Sequence, residues 1–131
     1  MKRIIPFLLI ILLLASCSAP EQSDLGYMQI SESDALELMA EEKDYIILDV
    51  RTPEEFEERH IVGAINVPNE TIGTEEIAEL PDKDQMILVY CRSGNRSKDA
   101  SQKLVELGYT NIIEFGGINN WTGKTTSGNM I

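Results

Sequence analysis

From Tyr27 onward, short apolar runs alternate with segments whose apolar residues recur at helical spacing. Residues 27–30 read as a strand, and Ser31 or Ser33 is placed to cap a helix carrying Ala35, Leu36 and Met39 on one face. Residues 45–50 (YIILDV) form a continuous apolar run, as expected of a strand buried on both faces. Thr52-Pro53 then opens a short acidic helix over residues 53–59, with proline at the first helical position. Residues 64–67 predict another strand, closed by Pro68, and residues 74–80 predict a helix ended by Pro81. The most strand-like segment is 86–90 (MILVY). A helix from Arg96 or Ser97 to Leu107 buries Ala100, Leu104 and Leu107 and stops at Gly108. Residues 112–115 predict the last strand, Gly116-Gly117 a turn, and residues 118–121 the start of a short final helix.

Alternation of this kind predicts an α/β fold, with a central parallel sheet of about five short strands and helices on both faces. Ligands of such sheets gather at the carboxyl ends of the strands. Three segments fall there: 49–51 with Asp49 and Arg51, 91–97 with Cys91, and the Gly116-Gly117 pair.

Composition adds two constraints. A hydrophobic fraction of 43% and a charged fraction of 25% are ordinary for a globular chain, which argues against wholesale disorder. The 22 acidic residues outnumber the 11 basic ones, and without Lys2 and Arg3 the balance is 22 against 9, a formal net charge of −13. Such a surface repels nucleic acid and anionic headgroups, so neither is expected as a partner.

The first residues read as an address. Lys2 and Arg3 precede an apolar run, residues 4–14, that is too short to span a bilayer comfortably. Leu14-Ala15-Ser16-Cys17 resembles the lipobox of bacterial lipoproteins, which implies lipidation of Cys17, an extracytoplasmic location and a membrane anchor. The alternatives are an ordinary signal peptide with an incidental cysteine, or a weak anchor. The expected organisation is a leader over 1–17, a tether over 18–26, one domain over 27–122 and a polar tail over 123–131 with no assigned role. Lipidation of Cys17 leaves Cys91 as the single free thiol, so no disulfide framework is available. One histidine and one cysteine do not make a zinc site, and no metal or cofactor is expected.

Chemistry concentrates in Cys91-Arg92-Ser93-Gly94-Asn95-Arg96-Ser97, between a strand and a helix. A loop curled there turns backbone N–H groups toward Cys91, with Gly94 and Asn95 tolerant of the dihedrals required. The helix N-terminus and the guanidiniums of Arg92 and Arg96 add to that field, and all three effects favour a nucleophilic thiolate. The same cradle suits an anionic substrate. Read as residue types alone, Cys91 is a small buried hydrophobe and the arginines are solvated surface groups.

The loop CRSGNRS is similar to the active-site loop of rhodanese-type sulfurtransferases. LDVRTPEEFEERHIVGAINVP, residues 48–68, resembles the family's other signature, and Gly116-Gly117 with Trp121 its closing motif. The resemblance spans residues 28–121 and implies a rhodanese-like fold with a two-step sulfur transfer. Cys91 would take sulfane sulfur from a donor such as thiosulfate and pass it to a thiophilic acceptor such as cyanide or a thiol. It further implies substrate cradling by the backbone of Arg92, Ser93, Gly94, Asn95, Arg96 and Ser97, with Arg92 and Arg96 capturing thiosulfate. Ser97 is expected to cap the helix rather than touch substrate. Asp49 and Arg51 are expected as a buried pair supporting the loop rather than as acid–base groups. Glu58 and His60 have the look of a relay pair, but His60 lies in the signature stretch and a structural role is expected. Arg59 stands where the family more usually has glycine. Trp121 is expected to pack.

The nearest enzyme alternative is a cysteine phosphatase or arsenate reductase sharing this fold, but those relatives use Cys-x5-Arg, whereas Arg96 follows Cys91 as Cys-x4-Arg, a shorter ring that suits a persulfide sulfur. A tethered non-enzymatic binding module, and a persulfide carrier serving a protein acceptor, stand as the alternatives.

Overall fold

The computed structural model describes residues 24–128. The leader, Cys17 and the tether up to residue 23 therefore lie outside the described residues. Seven strands, β1 (Met28–Gln29), β2 (Tyr45–Asp49), β3 (His60–Ile61), β4 (Ile65–Asn66), β5 (Met86–Cys91), β6 (Ile112–Gly117) and β7 (Thr125–Thr126), are joined with three helices, α1 (Glu32–Glu41), α2 (Pro53–Glu58) and α3 (Asn95–Glu106). Five strands make one parallel sheet in the order β1-β6-β5-β2-β4.

The apolar runs at 45–50 and 86–90 explain the centre of that sheet. Alternate side chains leave opposite faces of a strand, so a run without polar interruption supplies two cores at once. Leu48, Val50, Ile87, Val89, Cys91 and Ile112 pack on one face with Ala100 and Leu104 of α3. Ile47, Leu88, Tyr90, Ile113 and Phe115 pack on the other with Ala35 of α1. Helices thus cover both faces, as the alternation predicts.

The local signals at helix ends act as expected. Ser31 caps α1 by accepting from the Asp34 N–H at 3.1 Å. Thr52 caps α2 through a reciprocal capping box with Glu55, with Pro53 at the first helical position. Gly108 ends α3 at φ +95.

Four expectations are corrected. The buried face of α1 is Ala35, Leu38 and Met39, while Leu36 is exposed, because three- and four-residue spacing from Ala35 selects 38 and 39. Residues 74–80 form no helix. They run between two buried anchors, Ile72 and Leu80, whose carbonyl takes the Tyr109 hydroxyl at 2.7 Å. Seven residues with Glu75, Glu76 and Glu79 among them offer too little apolar stripe to nucleate a helix. Gly116-Gly117 is the end of β6 rather than a turn. Finally, residues 112–115 are not the last strand: Thr125 and Thr126, in the segment read as a tail, pair antiparallel with Ile61 and His60. Gly128 N–H adds a 2.7 Å bond to the Glu57 carbonyl.

Candidate active site

Cys91 is the last residue of β5, and α3 begins four residues later, so the intervening loop reverses the chain within a few residues. Gly94 makes that turn possible. It occupies the N-cap of α3 at φ +115, a conformation side chains disfavour. Its N–H donates to Cys91 Sγ at 3.0 Å, and Cys91 is 1% exposed. The sulfur therefore sits beneath the loop, at the positive end of a twelve-residue helix.

Beneath the loop, β6 approaches without side chains. A Cβ on Gly117 would overlap the Arg92 carbonyl, whose oxygen also accepts from the Asn119 N–H at 3.2 Å. Gly117 is thus required by close packing of backbone on backbone. Asp49, Arg51, the Cys91 loop and Gly116-Gly117 all lie at this carboxyl edge of the sheet, where topology placed them.

Asp49 and Arg51 form a buried pair. Arg51 Nη2 lies 2.7 Å from Asp49 Oδ2, and Arg51 Nε donates to both carboxylate oxygens at 3.0 and 3.1 Å. Tyr90 OH donates to the same Oδ2 at 2.6 Å, and Arg51 Nη2 reaches the Arg59 carbonyl. Burial, with Asp49 beside it, pushes the Tyr90 phenol well up and keeps it a donor. Asn66 ties the same corner by donating to the carbonyls of Asp49 and Arg51 at 3.0 and 2.9 Å. Tyr90 immediately precedes Cys91, so this network fixes the strand end that carries the thiol.

Arg92 and Arg96 share one carboxylate partner. Both are held by Glu55: Arg96 through Nη1 at 2.6 Å and Nη2 at 3.0 Å, Arg92 through Nε at 3.3 Å and Nη2 at 3.2 Å. The hydrogen bond from Arg96 holds the Glu55 carboxyl at about 2, against an ordinary 4.5. Ser93 is exposed on the loop, and Asn95 is exposed at the first position of α3.

Ser97 is corrected in the same region. It is the third residue of α3 rather than its cap, and it is fully buried. Its hydroxyl lies 2.7 Å from Glu114 Oε1 and 2.9 Å from the Gly94 carbonyl, and it accepts from Cys91 Sγ at 3.4 Å. The cap position falls to Gly94 because the tight loop needs its left-handed backbone.

Glu55, Tyr90 and Glu114 belong to the site and were not singled out from the sequence. Two signals were present: Thr52-x-x-Glu55 is a capping-box pattern, and Glu114 is a lone carboxylate in the apolar run IIEF. Glu114 is 2% exposed and also accepts from the Gly116 N–H at 2.8 Å. Glu58 is exposed while His60 is buried, stacked on Phe56 at 3.8 Å with Nδ1 donating to the Phe56 carbonyl. Arg59 has extended backbone at φ −164, which any residue adopts, so glycine is not needed there. Among the described residues no cluster of three metal-ligating side chains occurs, and no helix is long and apolar enough to cross a membrane.

Residues 32–124 match the rhodanese-like domain family, and residues 1–18 match the prokaryotic membrane lipoprotein lipid attachment site. The chain is 38% identical over 71 residues to the thiosulfate sulfurtransferase PspE of Escherichia coli, covering 54% of this chain and 68% of that one. It is 36% identical over 96 residues to the thiosulfate sulfurtransferase GlpE of Coxiella burnetii, covering 72% and 87%. Among solved structures it resembles a rhodanese from E. coli described with anions, at TM-score 0.59 and 36% identity over 64% of this chain and 99% of that one. The rhodanese-like domain of an Anabaena protein superposes at TM-score 0.68 with 26% identity, covering 76% and 78%.

Proposed function

Because the chain belongs to the rhodanese-like domain family, we propose that this sulfurtransferase carries sulfane sulfur from thiosulfate to a thiophilic acceptor through a persulfide on Cys91. The observation that carries the reading is the placing of Cys91 Sγ under a tight loop, 3.0 Å from the Gly94 N–H at the N-terminus of α3. Oriented backbone dipoles and a helix end suit the anionic groups that the transfer brings to this sulfur. The Cys91 thiolate attacks the outer sulfur of thiosulfate, the S–S bond of the donor breaks, and sulfite leaves with its electron pair. Cyanide, or a thiolate acceptor, then takes the outer sulfur and returns the Cys91 thiolate.

The backbone from Arg92 through Ser97 supplies the cradle, and Arg92 and Arg96 supply positive charge at its rim. Asp49 and Arg51 support the loop through Tyr90. Their burial and mutual pairing favour this over acid–base work, which would need an open proton path. The lipid attachment motif supports anchoring through Cys17 to the outer side of a bacterial membrane, with residues 18–26 as tether.

Intact-mass spectrometry of the detergent-solubilised protein after incubation with thiosulfate tests the proposal. A gain of one sulfur atom on the wild type, absent in Cys91→Ser and removed by cyanide with release of thiocyanate, is the expected result. A folded, reduced protein that gains no sulfur from any donor would point instead to a tethered binding module.

A further inference from the structure

Two guanidiniums flank the Cys91 loop, and one carboxylate holds both. Arg92 and Arg96 bring two positive charges to the rim, and Glu55 returns one negative charge in a bidentate pairing with Arg96 and a second contact to Arg92. The pairing is built rather than incidental. Glu55 is fixed by the capping box of α2, its Oε1 accepting from Thr52 N–H at 3.4 Å and Thr52 Oγ1 at 3.2 Å. Its side chain is only 16% exposed, whereas that of Arg92 is 58% exposed. Glu55 remains ionised at any working pH, since the Arg96 hydrogen bond holds its carboxyl near 2.

We propose that Glu55 is a specificity-determining residue for donor charge, setting the Cys91 site for monoanionic sulfane-sulfur donors over dianionic thiosulfate. The inference rests on the sulfurtransferase reading above and names the substrate class of the same site. Glu55 offsets one of the two positive charges that Arg92 and Arg96 bring to the rim, and a dianion needs that lost charge more than a monoanion does. A dianion keeps an unmatched charge beside a chain whose formal net charge is already −11. Glu70 adds to this bias, since it too acts on Arg96.

A pair of donors of similar shape and different charge isolates the effect. Thiosulfate gives up its outer sulfur to the Cys91 thiolate and leaves as sulfite. Methanethiosulfonate, a monoanion, gives up its outer sulfur in the same way and leaves as methanesulfinate. In each case one S–S bond forms as another breaks, the leaving group keeps the electron pair, and no oxidant is needed.

The test compares kcat/KM for both donors in the full-length protein, as wild type, Glu55→Gln and Arg92→Gln. Glutamine keeps the capping box while removing the charge. In Glu55→Gln, kcat/KM for thiosulfate should rise about tenfold at low ionic strength while that for methanethiosulfonate stays within about threefold. Added salt should shrink the difference. Arg92→Gln should move the ratio of the two donors the opposite way. An equal loss with both donors in Glu55→Gln would overturn the proposal and leave Glu55 as a residue that only positions the arginines. An unchanged ratio in both variants would overturn it as well. If intact-mass measurement finds no sulfur on Cys91 of the wild type with either donor, the sulfurtransferase reading itself fails.

Discussion

Replacing Arg51 with alanine tests how the sheet edge holds the thiol. Asp49 is 0% exposed, and its carboxylate accepts from Arg51 Nε, Arg51 Nη2, the Arg51 N–H and Tyr90 OH. The substitution removes the only cation paired with it among the described residues, and it strips the Arg59 carbonyl of a donor. Breaking a buried pair by removing one partner costs about 3–5 kcal/mol, since the other charge is left behind. Asp49 keeps two of its donors, so the lower end, about 3 kcal/mol, is expected. That is a large share of the roughly 5–15 kcal/mol that holds most domains folded. For a domain near 100 residues it corresponds to a fall in Tm of about 12–24 °C. Urea unfolding followed by the fluorescence of Trp121, the single tryptophan, reads the change directly. Tyr90→Phe should cost less, about 1–2 kcal/mol, because Arg51 stays on Asp49 while the Ile61 N–H loses its acceptor. The double variant should depart from additivity, since both donors share Oδ2. A loss below about 1 kcal/mol for Arg51→Ala would refute the reasoning, because it would mean that Asp49 escapes the penalty by taking a proton or water.

Other consequences are checked as simply. Glu55 has its carboxyl lowered from 4.5 to about 2 in the folded state, so its contribution is complete above pH 4.5 and lost as pH falls toward 2. The urea midpoint of the wild type should therefore drop across that window more steeply than that of Glu55→Gln. Gly117→Ala should destabilise by about 1–3 kcal/mol and abolish sulfur loading, because its methyl overlaps the Arg92 carbonyl. Gly73→Ala, whose added Cβ meets nothing within 4 Å, should stay within about 0.5 kcal/mol of wild type in urea unfolding. Cys17→Ser should shift the protein from the membrane to the soluble fraction on cell fractionation, and retention in the membrane would sink the lipid-anchor reading.

What the sequence by itself determined was local. Continuous apolar runs at 45–50 and 86–90 call for strands buried on both faces, and such strands demand helices above and below. Capping at Ser31 and Thr52 and the stop at Gly108 depend on neighbours within a few residues, so they could be read one position at a time. The position of Cys91 between a strand and a helix follows from the same local patterns. Tertiary structure decided what no window of sequence contains. Glu55 meets Arg92 and Arg96 from 37 and 41 residues away. Glu114 reaches Ser97 across 17 residues, and Thr125 and Thr126 find Ile61 and His60 more than 60 residues back. Residues 74–80 carry a helix-like pattern too short to hold itself, so two distant anchors overrule it. Backbone and side chains settle locally when the partner is near in sequence, but a charge takes its partner only after the sheet has brought the loops together.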